Sequence, residues 1–140
     1  MEDPFNLERF VSAQAPVWSQ VLTELRAGAK RSHWIWFTFP QMKGLGHSPS
    51  ALHFGIGSLE EAGAYARHPL LGSRLVECTN QVNLVEARTI NQILGSPDDL
   101  KFCSSMTLFA RAAPDNSVFN VALQKYFNGQ PDPLTLELLC

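Results

Sequence analysis

Helix-starting punctuation recurs along nearly the whole chain, and it limits the fold more than any other feature. Asp3-Pro4, Ala15-Pro16, Ser58 with Glu61, Pro69, Thr89, Ser96-Pro97-Asp98-Asp99, Asp115 and Asp132-Pro133 each set a side-chain oxygen or a proline before an apolar pattern of helical period. An oxygen there accepts from an amide that a helix leaves open at its start, and a proline gives up an amide that had no partner. The stripes that follow include Leu7, Phe10 and Val11, then Val17, Val21, Leu22 and Leu25 closed by Gly28, and Leu71, Leu75, Cys78, Val82 and Val85. Ser58 and Glu61 read as a capping box opening a helix to about Arg67. Thr89 starts a short helix ending at Gly95, and the Ser96–Asp99 signal starts one reaching about Ala112. Asp115 starts another that stops near Asn128-Gly129, and Asp132-Pro133 starts the last. No segment alternates apolar and polar residues for long, and no Asn-Gly turn joins two β-branched runs. The expected fold is all-α: a compact single domain of roughly seven helices over residues 1–140.

Composition narrows the partners. At 140 residues there is room for one domain, and 45% apolar with 17% charged residues is the balance of a chain that buries a core. Eleven basic against thirteen acidic residues leave a formal charge of -2, which provides no field for a nucleic-acid backbone. The N-terminus begins Met1-Glu2-Asp3-Pro4, acidic where a secretory signal is basic, and no apolar run approaches the roughly 20 residues of a membrane span. A cytoplasmic location without membrane or nucleic-acid partners is expected. Cys78, Cys103 and Cys140 have neither disulfide-framework nor zinc spacing, and the first two fall in helices as small buried hydrophobes. No metal or other cofactor is implied, and the oligomeric state stays open.

One stretch departs from helical bookkeeping: Lys30 to Ser50. The run His33-Trp34-Ile35-Trp36-Phe37-Thr38-Phe39-Pro40-Gln41 is apolar nearly all round, so it is either buried on several sides or lines a cavity. A central core helix is the ordinary account. The functional account uses polar residues at its ends, because aromatic walls with a few placed polar groups make a small-molecule pocket. His33 and Gln41 are those groups, with Trp34 and Trp36 available to stack a planar ligand. The loop Gly44-Leu45-Gly46-His47-Ser48 has the glycines that let successive amides converge on an anion, although most such loops are turns. Lys30, Arg31 and Lys43 add positive charge around the block.

A second polar cluster, Lys101, Ser104, Ser105 and Thr107, lies within one helix whose packing stripe is Phe102, Met106 and Phe109. Mid-helix hydroxyls commonly bond back to a preceding carbonyl. The sharper reading is that Ser104 or Ser105 bonds a ligand, or is a nucleophile activated by Lys101. His68, before Pro69, reads as a helix-start residue, and His33, His47 and His53 lack fixed ligand spacing for a metal.

These residues also form a pattern. His33-Trp34-x-Trp36-Phe37-x-x-Pro40-Gln41 with Gly44-Leu45-Gly46, Ser58-Leu59-x-Glu61-Ala62-x-Ala64-Tyr65, His68-Pro69-Leu70-Leu71-Gly72-x-Arg74-Leu75, and Asp98-Asp99-Leu100-Lys101 with Ser104-Ser105-Met106-Thr107-Leu108-Phe109 resemble the family catalogued as domain of unknown function 1810. The resemblance runs from about Asp3 to Leu139. It implies a compact, mainly helical domain and no established activity. Ile35, Thr38 and the pair His53-Phe54 depart from the residues common in that family, and the last removes a cation and a phenol.

The expected function is a small-molecule pocket for a nucleotide-like or phosphorylated metabolite, with hydrolysis of it as an open option. Trp34, Trp36, Gln41, Gly44, Gly46, Ser48, Lys101, Ser104, Ser105 and Thr107 are the candidate ligand-binding residues, and His33 the candidate general acid or base. The alternative is a non-enzymatic interaction module presenting the aromatic block to a partner protein, which requires an exposed apolar patch around Trp34 and Trp36.

Overall fold

A computed structural model describes residues 3–139. The elements are α1 (Glu8–Gln14), a 3-10 turn (Ala15–Val17), α2 (Trp18–Arg26), α3 (Ile35–Thr38), α4 (Pro49–Phe54), α5 (Leu59–Arg67), α6 (Leu71–Leu84), α7 (Ile90–Leu94), α8 (Asp98–Ala112), α9 (Ser117–Phe127) and α10 (Pro133–Leu139). The fold is all-helical, and among the described residues the only β-type pairing is an isolated parallel bridge between Met42 and Ile56.

The punctuation acts largely as its chemistry dictates. Ser58 caps α5 by accepting from the Glu61 amide at 3.0 Å, and Thr89 with Gln92 forms a complete capping box at α7. The Ser58 box is only half formed. The Glu61 carboxylate does not return to Ser58; it accepts from the Gly57 amide at 3.0 Å and from the Arg9 guanidinium at 2.8 Å. A guanidinium is the stronger partner, because that bond is charge-assisted. At α6 the start falls at Leu71 rather than Pro69, and the His68 ring Nδ1 accepts the Leu70 and Leu71 amides at 3.1 and 3.2 Å. Asn128 and Gly129, both with positive φ, end α9.

α8 is the central helix. Phe102 and Ser104 through Phe109 are buried along it, and α3, α5, α7, α9 and α10 pack around it. Aromatic edges fix the packing: Phe39 meets Phe102 edge-to-face at 4.9 Å between ring centroids, and Phe10 meets Tyr65 at 5.0 Å. α5 and α6 approach so closely that a Cβ on Gly72 would sit 2.1 Å from the Ala66 carbonyl oxygen. Arg9 ties the first helix to the loop before α5, donating to the carbonyls of Phe5, Asn6, His53 and Gly55 as well as to Glu61.

The aromatic block is not a long core helix. It supplies the single turn α3, after which Phe39 leaves helical geometry and the chain runs through buried Pro40 to the Met42–Ile56 bridge. Lys43 donates its amide to the Ile56 carbonyl at 2.8 Å and Ile56 donates to the Gln41 carbonyl at 2.9 Å, so the glycine loop and α4 form a closed excursion from the core. No helix among the described residues is long and apolar enough to cross a membrane.

Candidate functional site

The entry into the aromatic block is shaped by a carboxylate. Glu24, on the buried face of α2 beside Val21 and Leu25, is 6% exposed. Its Oε1 accepts from the Arg31 amide (2.8 Å), the Ser32 amide (3.0 Å) and the Trp34 indole N–H (2.9 Å). Its Oε2 accepts from the Ser32 hydroxyl and from Gln20 Nε2. Burial by itself would raise this carboxyl above its ordinary range. The bonds from Ser32, Arg31 and Trp34 overcome that effect and hold it at about 2, so the group stays ionised. Trp34 is consequently sealed, 1% exposed, with its one polar atom committed to Glu24.

Beyond this knot lies a row of charges at the start of α8. The Lys30 ammonium, over the Trp34 ring, pairs with Asp98 at 2.7 Å and donates to the Ser32 carbonyl. Lys101, one turn further on, is 3.9 Å from the other Asp98 oxygen and lies 5.1 Å from the centroid of the Trp36 ring. Asp98 therefore serves mainly Lys30, and Lys101 keeps charge to spare.

Lys101 opens onto a hollow of about 580 Å³ between the Gln41–Gly46 loop, α8 and the Phe127–Leu134 segment. Its floor and walls are apolar at Leu45, Pro97, Leu100, Phe127 and Leu134, and polar at Gln41, Lys101, Ser104, Asn128, Gln130 and Asp132. Gly46 is part of the wall for a packing reason: a Cβ there would come within 2.9 Å of the Ala51 Cβ. On the far side Asp132 caps α10. Its Oδ2 accepts from the Ser104 hydroxyl (2.9 Å), the Thr135 amide (3.2 Å) and the Thr135 hydroxyl (2.5 Å). Its amide donates to the Thr107 hydroxyl at 2.9 Å. The hydroxyls of α8 thus carry the C-terminal helix, and both also bond back along their own helix, Ser104 to Leu100 and Thr107 to Cys103.

Of the residues singled out from the sequence, Gln41, Gly46, Lys101 and Ser104 meet at this hollow. Trp36, half-buried, stands beside it through Lys101, and its indole N–H is buried with no partner among the described residues. The others lie elsewhere. Trp34 is inside the core, and His33 is exposed and does not line the hollow. Ser105 is fully buried with an unpartnered hydroxyl, and Thr107 borders a smaller cleft with Arg111 and Leu136. Ser48 caps α4, accepting from the Ala51 amide at 3.1 Å. Gly44, at φ +107°, forms the turn before a neighbouring cleft shared by His47, Leu134, Glu137 and Leu138.

From the sequence Asp132 reads as a helix start only, and no sequence signal brings Asn128, Gln130 and Cys103 to the hollow. Cys103 is half-buried there rather than sealed, and burial, followed by the nearby Asp132 charge, pushes its thiol up to about 11. Such a thiol is protonated near neutral pH and a poor nucleophile. Cys78 is buried and its thiol is raised further by desolvation, while Cys140 lies outside the described residues. Among the described residues no group of three or more His, Cys, Asp or Glu side chains is placed to hold a metal ion.

Fold and site together define a small all-helical domain with a polar-tipped hollow on one flank of its central helix. The chain belongs to the family described as Protein of unknown function (DUF1810), which it matches over residues 4–139. Among solved structures it is similar to the conserved hypothetical protein Rv1873 from Mycobacterium tuberculosis, with 60% identity over 98% of both chains and a TM-score of 0.97. No curated protein matches it.

Proposed function

We propose that this chain is a small-molecule-binding domain whose hollow takes a nucleotide-like or phosphorylated metabolite. The observation that carries the reading is that Gln41, at the polar end of the aromatic block, and Gly46 of the glycine loop line one hollow with Lys101 and Ser104 of α8, some sixty positions away in sequence. Its volume falls in the range of about 300–1,000 Å³ usual for ligand sites, and it combines apolar walls with a few convergent polar groups. In this reading Lys101, held over Trp36, takes the anionic part, and Leu45, Leu100 and Phe127 cover the flatter part.

The reading is of binding rather than turnover. His33, the sequence candidate for proton transfer, is not among the residues around the hollow, and the Cys103 thiol there is raised away from reactivity. The interaction-module alternative needs an exposed apolar patch around Trp34 and Trp36; Trp34 is sealed and Trp36 is half-buried, which favours the hollow.

Thermal-shift measurement against a library of nucleotides and sugar phosphates tests the proposal, run in parallel on wild type and Leu134→Trp. Leu134 is 59% exposed at the rim, so the larger side chain obstructs the hollow without disturbing the core. A ligand held by the folded state raises the melting temperature of wild type. The proposal expects at least one stabilising metabolite whose effect is lost in Leu134→Trp; equal shifts in both proteins would place binding elsewhere.

A further inference from the structure

The two charged groups of the hollow are differently committed, and that difference selects a ligand. Ser104 donates to Asp132 Oδ2, so the carboxylate sits against position 104, and Lys101 precedes it by one turn of the same helix. Residues three apart on a helix are neighbours at roughly 5–6 Å between Cβ atoms. A cation and an anion therefore border the same hollow one helical turn apart. They are not paired with each other: the ion pair of Lys101 is the loose one with Asp98, and Asp132 takes its three hydrogen bonds from Ser104 and Thr135.

All three bonds to Asp132 fall on Oδ2. They fix the orientation of the carboxylate, and Oδ1 has no hydrogen-bond partner among the described residues. A carboxylate oxygen accepts only, so the group that completes it must donate. Lys101 donates only, so its partner must accept and is best charged. Asn128 and Gln130, on the chain leading to Asp132, present carboxamides that can do either.

Resting on the binding reading above, we infer that the ligand is bipolar: a phosphate or carboxylate on Lys101 at one end, and an amino or amide N–H group on Asp132 Oδ1 at the other. A purely anionic metabolite meets repulsion from Asp132, and a purely cationic one meets it from Lys101. The hollow discriminates by pairing both ends: Asp132 is half-buried with Oδ1 left open to a donor, and Lys101 is open to an anion, so a ligand that supplies both is favoured over one that supplies either alone.

Titration of the 15N-labelled full chain, followed by its amide resonances, tests this with adenosine 5′-monophosphate, purine riboside 5′-monophosphate without the amino group, and adenosine without the phosphate. The inference expects adenosine 5′-monophosphate to shift the Lys101, Ser104 and Gln130 resonances, and each truncated probe to bind at least fivefold more weakly. Lys101→Met removes the advantage of the phosphate. Asp132→Asn, which preserves helix capping, removes the advantage of the amino group. Should Asp132→Asn unfold, the comparison of the two monophosphates on wild type decides. Equal binding of the monophosphates, or of adenosine and its monophosphate, overturns the inference and leaves the binding reading intact. The same holds if adenosine 5′-monophosphate is silent while a one-signed metabolite from the library shifts these resonances. If nothing in the library shifts them, both fall.

Discussion

Replacing Glu24 by Gln keeps the shape of the side chain but removes its charge and turns one accepting oxygen into a donor that faces other donors, so it tests what the ionised carboxylate contributes to the Arg31–Trp34 turn. A folded-state pKa of about 2 against an ordinary 4.5 corresponds to about 3 kcal/mol of stability. The sign follows from the direction. A carboxyl depressed by folding contributes fully above its unfolded value, near 4.5, and the contribution drains as pH falls toward 2. Glu24→Gln is expected to lose about 3 kcal/mol at pH 7, or about 10 °C in melting temperature for a domain of this size. The gap between wild type and variant should narrow progressively below pH 4.5. Urea unfolding followed by tryptophan fluorescence reads it directly, since Trp34 donates its indole N–H to this carboxylate. A variant as stable as wild type at pH 7, or a gap of equal size at pH 7 and pH 3, would refute the reasoning.

Three further substitutions follow from the packing and the caps. Gly72→Ala forces a methyl group against the Ala66 carbonyl and should cost about 2–3 kcal/mol by urea midpoint, as an overpacked core site does. Arg9→Lys retains the charge near Glu61 but cannot reproduce the fan of bonds to Phe5, Asn6, His53 and Gly55; a loss of about 2 kcal/mol is expected, against no change if charge alone matters. Asp132→Ala removes the cap of α10 and should both cost about 1–2 kcal/mol and expose the segment after Gln130 to proteolysis. An unchanged cleavage pattern would show that α10 is held by its apolar contacts instead.

The helical plan was legible because its signals are local. Ser58 before α5, Pro97-Asp98-Asp99 at α8 and Asn128-Gly129 after α9 act through chemistry within one turn of the residue concerned. Tertiary competition accounts for the misses. Glu61 is drawn away from its capping box by Arg9, a partner 52 residues distant, and the aromatic block becomes one helical turn because Glu24 gathers the chain before it. Glu24 did leave a trace: it shares the spacing of Val21, Leu25 and Gly28, a charge on an otherwise apolar stripe, which marks a carboxylate that the fold must satisfy internally.

Half of the hollow's polar lining was visible on the same terms. Gln41, Gly46, Lys101 and Ser104 bear polar or flexible groups beside apolar runs, and they do meet. Ser104 and Ser105 are indistinguishable as neighbours in sequence, yet a rotation of one residue sends Ser104 to Asp132 and Ser105 into the core. The third wall, Phe127 to Leu134, was invisible because its position depends on α10 returning to α8 through a cap whose partners lie 25 and 28 residues away.

The most direct measurement is a crystal structure of the full chain soaked with the most stabilising metabolite from the thermal-shift library. The account predicts that compound between the Gln41–Gly46 loop and Asp132, with its anionic group within hydrogen-bond distance of Lys101 Nζ. Density for it instead in the groove of Val76, Asp115 and Val118 between α6 and α9, with the Lys101 hollow left to solvent, would contradict it.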